Sequence, residues 1–84
     1  MDSDTIRTKI LAIFDEEFEI VEPGEEDDLR EIHGFDSIDA IELLREIEIM
    51  LDSELTRDEK KRAMDIRTMN QIYDYVASLS ADRQ

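Results

Sequence analysis

The sequence has 84 residues, 24 of them Asp or Glu against 10 Lys or Arg, and its formal net charge at pH 7 is −14. A chain of this length can form one small domain but not a deep substrate cleft, which argues against most self-contained enzymes. The negative charge argues against binding to nucleic acid or to an anionic membrane surface, and the absence of cysteine excludes disulfides, thiolate metal sites and a cysteine nucleophile.

The apolar residues are sufficient for a folded domain but not for a membrane span. Hydrophobic residues make up 40% of the chain, and the longest apolar run covers only residues 10–14. The acidic N-terminus lacks the basic region of a signal peptide. We therefore expect a single domain over residues 1–84, located in the cytoplasm and monomeric because its charges repel one another.

The first periodic segment predicts a helix over residues 4–18. Its apolar residues recur at spacings of three and four: Ile6, Ile10, Ile13, Phe14 and Phe18. The segment is preceded by Asp2, Ser3 and Asp4, any of which can accept hydrogen bonds from the first free N–H groups.

A loop is predicted between residues 19 and 34, where the periodicity fades. Pro23 and Gly24 indicate a turn, and residues 25–28 are four consecutive carboxylates that repel one another. We expect apolar residues to anchor this loop, namely Ile20, Val21, Leu29 and Ile32.

The second helix, beginning at Asp36, has the most regular pattern in the chain. Its apolar stripe consists of Ala40, Leu43, Leu44, Ile47, Met50, Leu51 and Leu55. Asp36 and Asp39 have the spacing of a capping box, so the start of this helix is sharply defined.

Two further helical segments complete the chain. The basic stretch at residues 57–62 leads to Ala63, Met64 and Ile66 and predicts a short helix or a structured turn. A last periodic segment predicts a final helix through Met69, Ile72, Tyr73, Val76 and Leu79. The predicted fold class is all-α: a small antiparallel four-helix bundle with three main helices and one short helix.

Catalytic and metal sites are poorly supported. The only histidine, His33, precedes Ser37 by four residues, and a chain this short offers little to wall off a dry hydrolytic pocket. Calcium-binding loops starting at Asp15 or Asp27 would have Ile20 or Ile32 where an EF-hand needs glycine. We predict no enzymatic activity and no metal site.

The hydroxyl of Ser37 stands at the start of the second predicted helix. A phosphate ester is electrostatically favoured at a helix N-terminus, because free N–H groups and a partial positive charge meet there. Alternatively, Ser37 or Asp36 is simply the N-cap. The spacing fits both interpretations.

The segment Gly34-Phe35-Asp36-Ser37-Ile38-Asp39 resembles the Gly-x-Asp-Ser-Leu-Asp motif of the acyl carrier proteins, with Ile in place of Leu. The length, the acidity, the four helical segments and Leu29 eight residues before the serine agree with that family. The resemblance implies that a phosphopantetheinyl transferase esterifies Ser37 with 4'-phosphopantetheine from coenzyme A. Such a carrier holds acyl intermediates as thioesters and presents them to enzymes of fatty-acid, polyketide or related biosynthesis.

The resemblance also implies which residues meet partner enzymes and cargo. Docking to basic patches on acyl-loading and acyl-processing enzymes is expected through Asp36, Ile38, Asp39, Ile41, Glu42, Arg45 and Glu48. The family shelters its acyl chain between the helices, and the candidate lining residues are Leu43, Ile47, Leu51, Leu55, Ile66, Ile72 and Tyr73.

Departures from the family pattern favour a discrete, specialised carrier. Arg45 stands where fatty-acid carriers usually have an apolar residue, Ile49 replaces an acidic one, and residues 57–62 are unusually basic. An aminoacyl or D-alanyl carrier remains open as a variant. The main alternative from another class is a small acidic helical interaction module without a prosthetic group. A hydrolase using Ser37 and His33 is a remote third hypothesis. We expect His33 to be a surface or hinge residue; the alternative is that its protonation near neutral pH is coupled to the conformation of the loop.

Overall fold

The computed structural model describes residues 2–83, and within them the chain forms five α-helices and no strand. They are α1 (Ser3–Phe18), α2 (Leu29–His33), α3 (Ser37–Leu51), α4 (Arg57–Ala63) and α5 (Met69–Asp82). None of these helices has the length and apolar content needed to cross a membrane. The all-α fold class is confirmed, with α1, α3 and α5 as its three main helices.

Side-chain caps define where the helices begin. The Asp2 carboxylate accepts a hydrogen bond from the Thr5 N–H and starts α1. α4 and α5 each follow a threonine, Thr56 and Thr68, whose hydroxyl accepts from the third residue of the helix while that residue's side chain bonds back. These reciprocal pairs satisfy donors that the helix itself leaves free.

The predicted loop contains a short helix that its sequence pattern does not reveal. Asp28 accepts hydrogen bonds from the N–H groups of Arg30 and Glu31, and Gly34 ends α2 in the left-handed conformation, with φ of 68°. Five residues are too few to show a helical period. The prediction that Val21 and Ile32 anchor the loop is wrong, since both are largely exposed; Leu29 and Ile20 are buried as expected.

The core lies where α1 packs against α5 and α3. Its most completely buried side chains are Ile10, Phe14, Leu29, Ile47, Met69, Ile72, Val76 and Leu79. Leu29, the first residue of α2, donates its N–H to the Arg67 carbonyl at 2.9 Å, and an exposed Arg7–Glu25 ion pair at 2.6 Å joins α1 to the loop before α2. By contrast, none of the residues of α4 is buried.

Candidate functional site

Ser37 is the first residue of α3, and it is exposed. The helix is capped by Asp36, whose Oδ1 accepts from the N–H groups of Ile38 and Asp39 at 3.0 Å each, while Asp39 Oδ2 accepts from the Asp36 N–H at 3.3 Å. Within residues 2–83 the Ser37 hydroxyl has no hydrogen-bond partner. The cap is therefore Asp36, and the Ser37 hydroxyl stays available for chemistry.

Phe35 fixes the position of this serine. Its ring stacks on Phe14 of α1 with centroids 5.2 Å apart and meets Phe18 edge to face at 5.3 Å. The Phe35 N–H also donates to the Leu29 carbonyl at 2.9 Å. This anchor was not predicted from the sequence, although a lone aromatic residue between a glycine and a predicted N-cap was a usable signal.

An open depression surrounds Ser37 and is lined by Arg30, Gly34, Phe35, Asp36 and Ser37 itself. The guanidinium of Arg30 and the positive end of the α3 dipole both favour an anion there. Since the hydroxyl is exposed and Asp36 performs the capping, the site fits a phosphate-linked prosthetic group. Arg30 is a second residue that the sequence analysis missed.

A mostly apolar cavity with a volume of about 30 Å³ lies beside the depression, and Arg30, Phe35 and Asp36 border both. It is enclosed by α3, α5 and the end of α4. The complete lining is Arg30, Phe35, Asp36, Ala40, Leu43, Leu44, Ile47, Ala63, Met64, Ile66, Ile72 and Tyr75. The cavity and the Ser37 depression therefore share part of their lining near the start of α3.

The structure brings four of the seven predicted pocket residues to this cavity: Leu43, Ile47, Ile66 and Ile72. Leu51, Leu55 and Tyr73 are not in its lining. Tyr73 packs on the α1 side, where Arg7 lies over its ring with the guanidinium carbon 5.0 Å from the centroid. Tyr75 lines the cavity instead, because positions 72 and 75 share one face of a helix and position 73 does not.

The other two residues lie at or beyond the end of α3 that is remote from Ser37. Leu51 ends α3, at the opposite end from the serine. Leu55 is buried beyond the end of that helix, and its N–H donates to Glu48 Oε2 at 2.8 Å. The predicted apolar stripe thus continues past the helix, but its last members serve the core and not the cavity.

The predicted docking residues fall into two groups. Ile38, Ile41, Glu42 and Arg45 share one face of α3 beside Ser37, which we call the α3 face, and its two isoleucines are 74% and 53% exposed. Asp36 and Asp39 are engaged in the capping box, and Glu48 is half-buried and holds the backbone at Leu55. The carboxylates of this second group therefore have structural contacts of their own.

A carboxylate cluster borders the α3 face. Glu17 of α1 and Glu42 and Glu46 of α3 bring carboxylate oxygens within 4.8 Å of one another. Like charges at this separation repel, so cationic side chains approaching from outside are attracted to this edge.

His33 ends α2 and contacts the loop that precedes it. Its Nε2 lies 3.1 Å from Asp27 Oδ2, which also accepts from the Gly24 N–H at 3.0 Å. The pKa of Asp27 lies below its usual value. The hydrogen bond with His33 is the largest cause, and the hydrogen bond from the Gly24 N–H is the second. His33 thus fastens the loop and lies outside the lining of the Ser37 depression.

Comparison with known proteins agrees with this geometry. A family model described as "Phosphopantetheine attachment site" matches residues 8–76, which is most of the chain and includes the whole of α2, α3 and α4. A search of curated proteins gave no match. The family match favours a carrier over an interaction module without a prosthetic group.

Proposed function

The chain belongs to the acyl carrier protein family, whose members carry 4'-phosphopantetheine and are not themselves catalysts, and from this we propose that Ser37 bears the arm. The group, when bound, supplies the thiol that this cysteine-free chain lacks and on which an acyl group is held as a thioester. The protein's own residues then position the arm, shelter the cargo and meet the partner enzymes.

One observation carries this proposal: the hydroxyl of Ser37 is exposed and unengaged at the start of α3, because Asp36 caps the helix in its place. Phe35, two residues before Ser37, packs against Phe14 of α1. A transferase would therefore meet the serine in a defined position. Arg30, which lines the same depression, offsets part of the negative charge that a phosphodiester adds.

The cavity between α3, α5 and the end of α4 is the proposed site for the acyl group. Its lining is predominantly apolar, and two of the lining residues, Ile47 and Ile72, are fully shielded from solvent. Burying a hydrocarbon chain there removes apolar area from water, which favours retention of the cargo. Cargo of the fatty-acid, polyketide or a related class fits this lining better than a charged aminoacyl group.

The α3 face is the proposed contact for partner enzymes. Two exposed isoleucines beside the serine offer an apolar centre, and Glu42 with its neighbours Glu17 and Glu46 offers an acidic edge. The net charge of −14 accelerates encounter with basic patches on a phosphopantetheinyl transferase and on acyl-processing enzymes. Arg45 on the same face repels basic side chains of a partner, in keeping with a specialised carrier.

Intact mass tests the attachment site directly. Wild type, Ser37→Ala and the control Ser78→Ala are incubated with coenzyme A and a broad-specificity phosphopantetheinyl transferase; Ser78 is exposed on α5. We expect one phosphopantetheine on wild type and on Ser78→Ala and none on Ser37→Ala. Addition to Ser37→Ala would refute the assignment, and no addition to folded wild type would refute the carrier function.

A further inference from the structure

The cavity is too small, in the conformation described, for the cargo proposed above. Its volume of about 30 Å³ is about a fifth of the roughly 150 Å³ of an engineered protein cavity that admits benzene. An acyl group of more than a few atoms can enter only if one wall moves outward. The size of the acyl group that this carrier holds therefore depends on which wall moves and on the contacts that restrain that wall.

The helix α4 is the wall least fixed by packing. α3 and α5 each insert fully shielded side chains into the core, whereas no residue of α4 is buried. The α4 segment contributes Ala63 and the two residues Met64 and Ile66 that follow it to the lining, and Met64 is 43% exposed. Separating α4 from α5 therefore loses little buried apolar area.

Polar contacts hold α4 in place instead. Arg83, directly after α5, makes two parallel hydrogen bonds to Glu59 of α4: Nη2 to Oε1 at 2.7 Å and Nη1 to Oε2 at 2.9 Å. The Tyr75 hydroxyl adds a bond to the Glu59 carbonyl at 2.7 Å. Both charged side chains are largely shielded, with 20% of Arg83 and 13% of Glu59 exposed, so solvent screens the pair only in part.

The same guanidinium also fastens the segment that leads into α4. Its Nε donates to the Ser53 hydroxyl at 2.8 Å and its Nη2 to the Glu54 carbonyl at 3.1 Å. Arg83 thus joins the end of α5 to both the α3–α4 connection and α4 itself. A single side chain restrains the movable wall at two points.

We propose that Arg83 and Glu59 form a latch that limits the separation of α4 from α5 and so sets the size of the acyl group that the cavity admits. The inference rests on the proposed carrier function and names residues that act on its cargo site by positioning α4. Tyr75 lines the cavity, and its hydroxyl donates to the carbonyl of Glu59, one of the two latch residues. Tyr75 therefore connects the cargo site directly to the latch.

The test compares full-length wild type with Arg83→Gln, Arg83→Lys and the control Arg57→Gln. Arg57 is an exposed residue of α4, and its replacement removes the same charge. Each protein is converted to the phosphopantetheine form, loaded with saturated acyl groups of increasing length, and melted with and without cargo. Hydrogen exchange of the α4 amides in the unmodified proteins reports the restraint without any cargo.

In wild type we expect thermal stabilisation by the acyl group to rise with its length up to a limit. Arg83→Gln should move that limit to longer chains and speed exchange of the α4 amides by about tenfold, as expected for the loss of charge-assisted hydrogen bonds. Arg83→Lys should shift the length limit by an intermediate amount, because lysine keeps the charge but cannot form a bidentate pair with a carboxylate. Arg57→Gln should behave as wild type.

An unchanged length limit in Arg83→Gln would overturn the latch, even if α4 exchanged faster, because a purely structural contact predicts only the faster exchange. In that case the carrier function would stand, since cargo is still bound. Failure of Ser37 to accept phosphopantetheine would instead overturn the proposed function and this inference with it.

Discussion

Replacing Ile47 with valine measures how tightly the buried lining of the cavity is packed. Ile47 is fully shielded from solvent and lies on α3 in the cavity lining. The substitution removes one buried methylene, worth about 0.8 kcal/mol of transfer free energy. The space it leaves adds to this loss or is partly filled by collapse, so we expect a loss of about 0.5–1.5 kcal/mol in the free energy of unfolding. For a domain of this size, 1 kcal/mol lowers Tm by about 4–8 °C.

The matched control is Ile49→Val, the same change two residues along the same helix at a side chain that is 73% exposed. Its effect should stay within about 0.5 kcal/mol. Urea unfolding of both full-length variants, followed by far-UV circular dichroism, should give a lower midpoint with an unchanged slope for Ile47→Val alone. Equal midpoint shifts in the two variants would refute the burial of Ile47 in the packed interior.

Three further changes test the polar contacts and the backbone. Hydrogen bonds from Arg83 and then from the Thr56 N–H lower the pKa of Glu59 from 4.5 to about 2, so this carboxylate stabilises the fold above about pH 4.5 and loses that contribution as the pH falls towards 2. Unfolding of Glu59→Gln should therefore depend less on pH across that window than unfolding of wild type, and parallel profiles would contradict the ion pair. Gly34→Ala forces a Cβ onto a residue with φ of 68° and should cost about 1 kcal/mol by urea unfolding, with Gly34→Asn less harmful; an Ala variant as stable as wild type would show that α2 ends differently. His33→Gln should raise the pKa of Asp27, measured by carboxyl-carbon NMR, because His33 is the main cause of its depression; an unchanged titration would remove His33 from that contact.

The amino-acid pattern alone predicts the long helices and the position of the serine. α1, α3 and α5 could be predicted because each repeats apolar residues with the helical period over 14 or more residues, and because Asp36 and Asp39 have the spacing of a capping box. The motif that begins at Gly34 identified the family, because it places the hydroxyl of Ser37 at the start of a helix. All of these signals involve residues that are close together in the chain, so they can be read from the sequence without knowledge of the tertiary structure.

Which apolar residues face the core, the cavity or the solvent depends on how the helices pack together. Val21 and Ile32 are as apolar as Ile20 and Leu29, yet no helix packs over them, and Tyr73 and Tyr75 exchange roles because the face of α5 that meets α1 differs from the one that meets α4. The choice of Asp36 as cap, leaving Ser37 free, depends on side-chain geometry that spacing does not specify. The contact of Arg83 with Glu59 joins residues 24 positions apart, and such pairing exists only after the chain has brought its end back to α4.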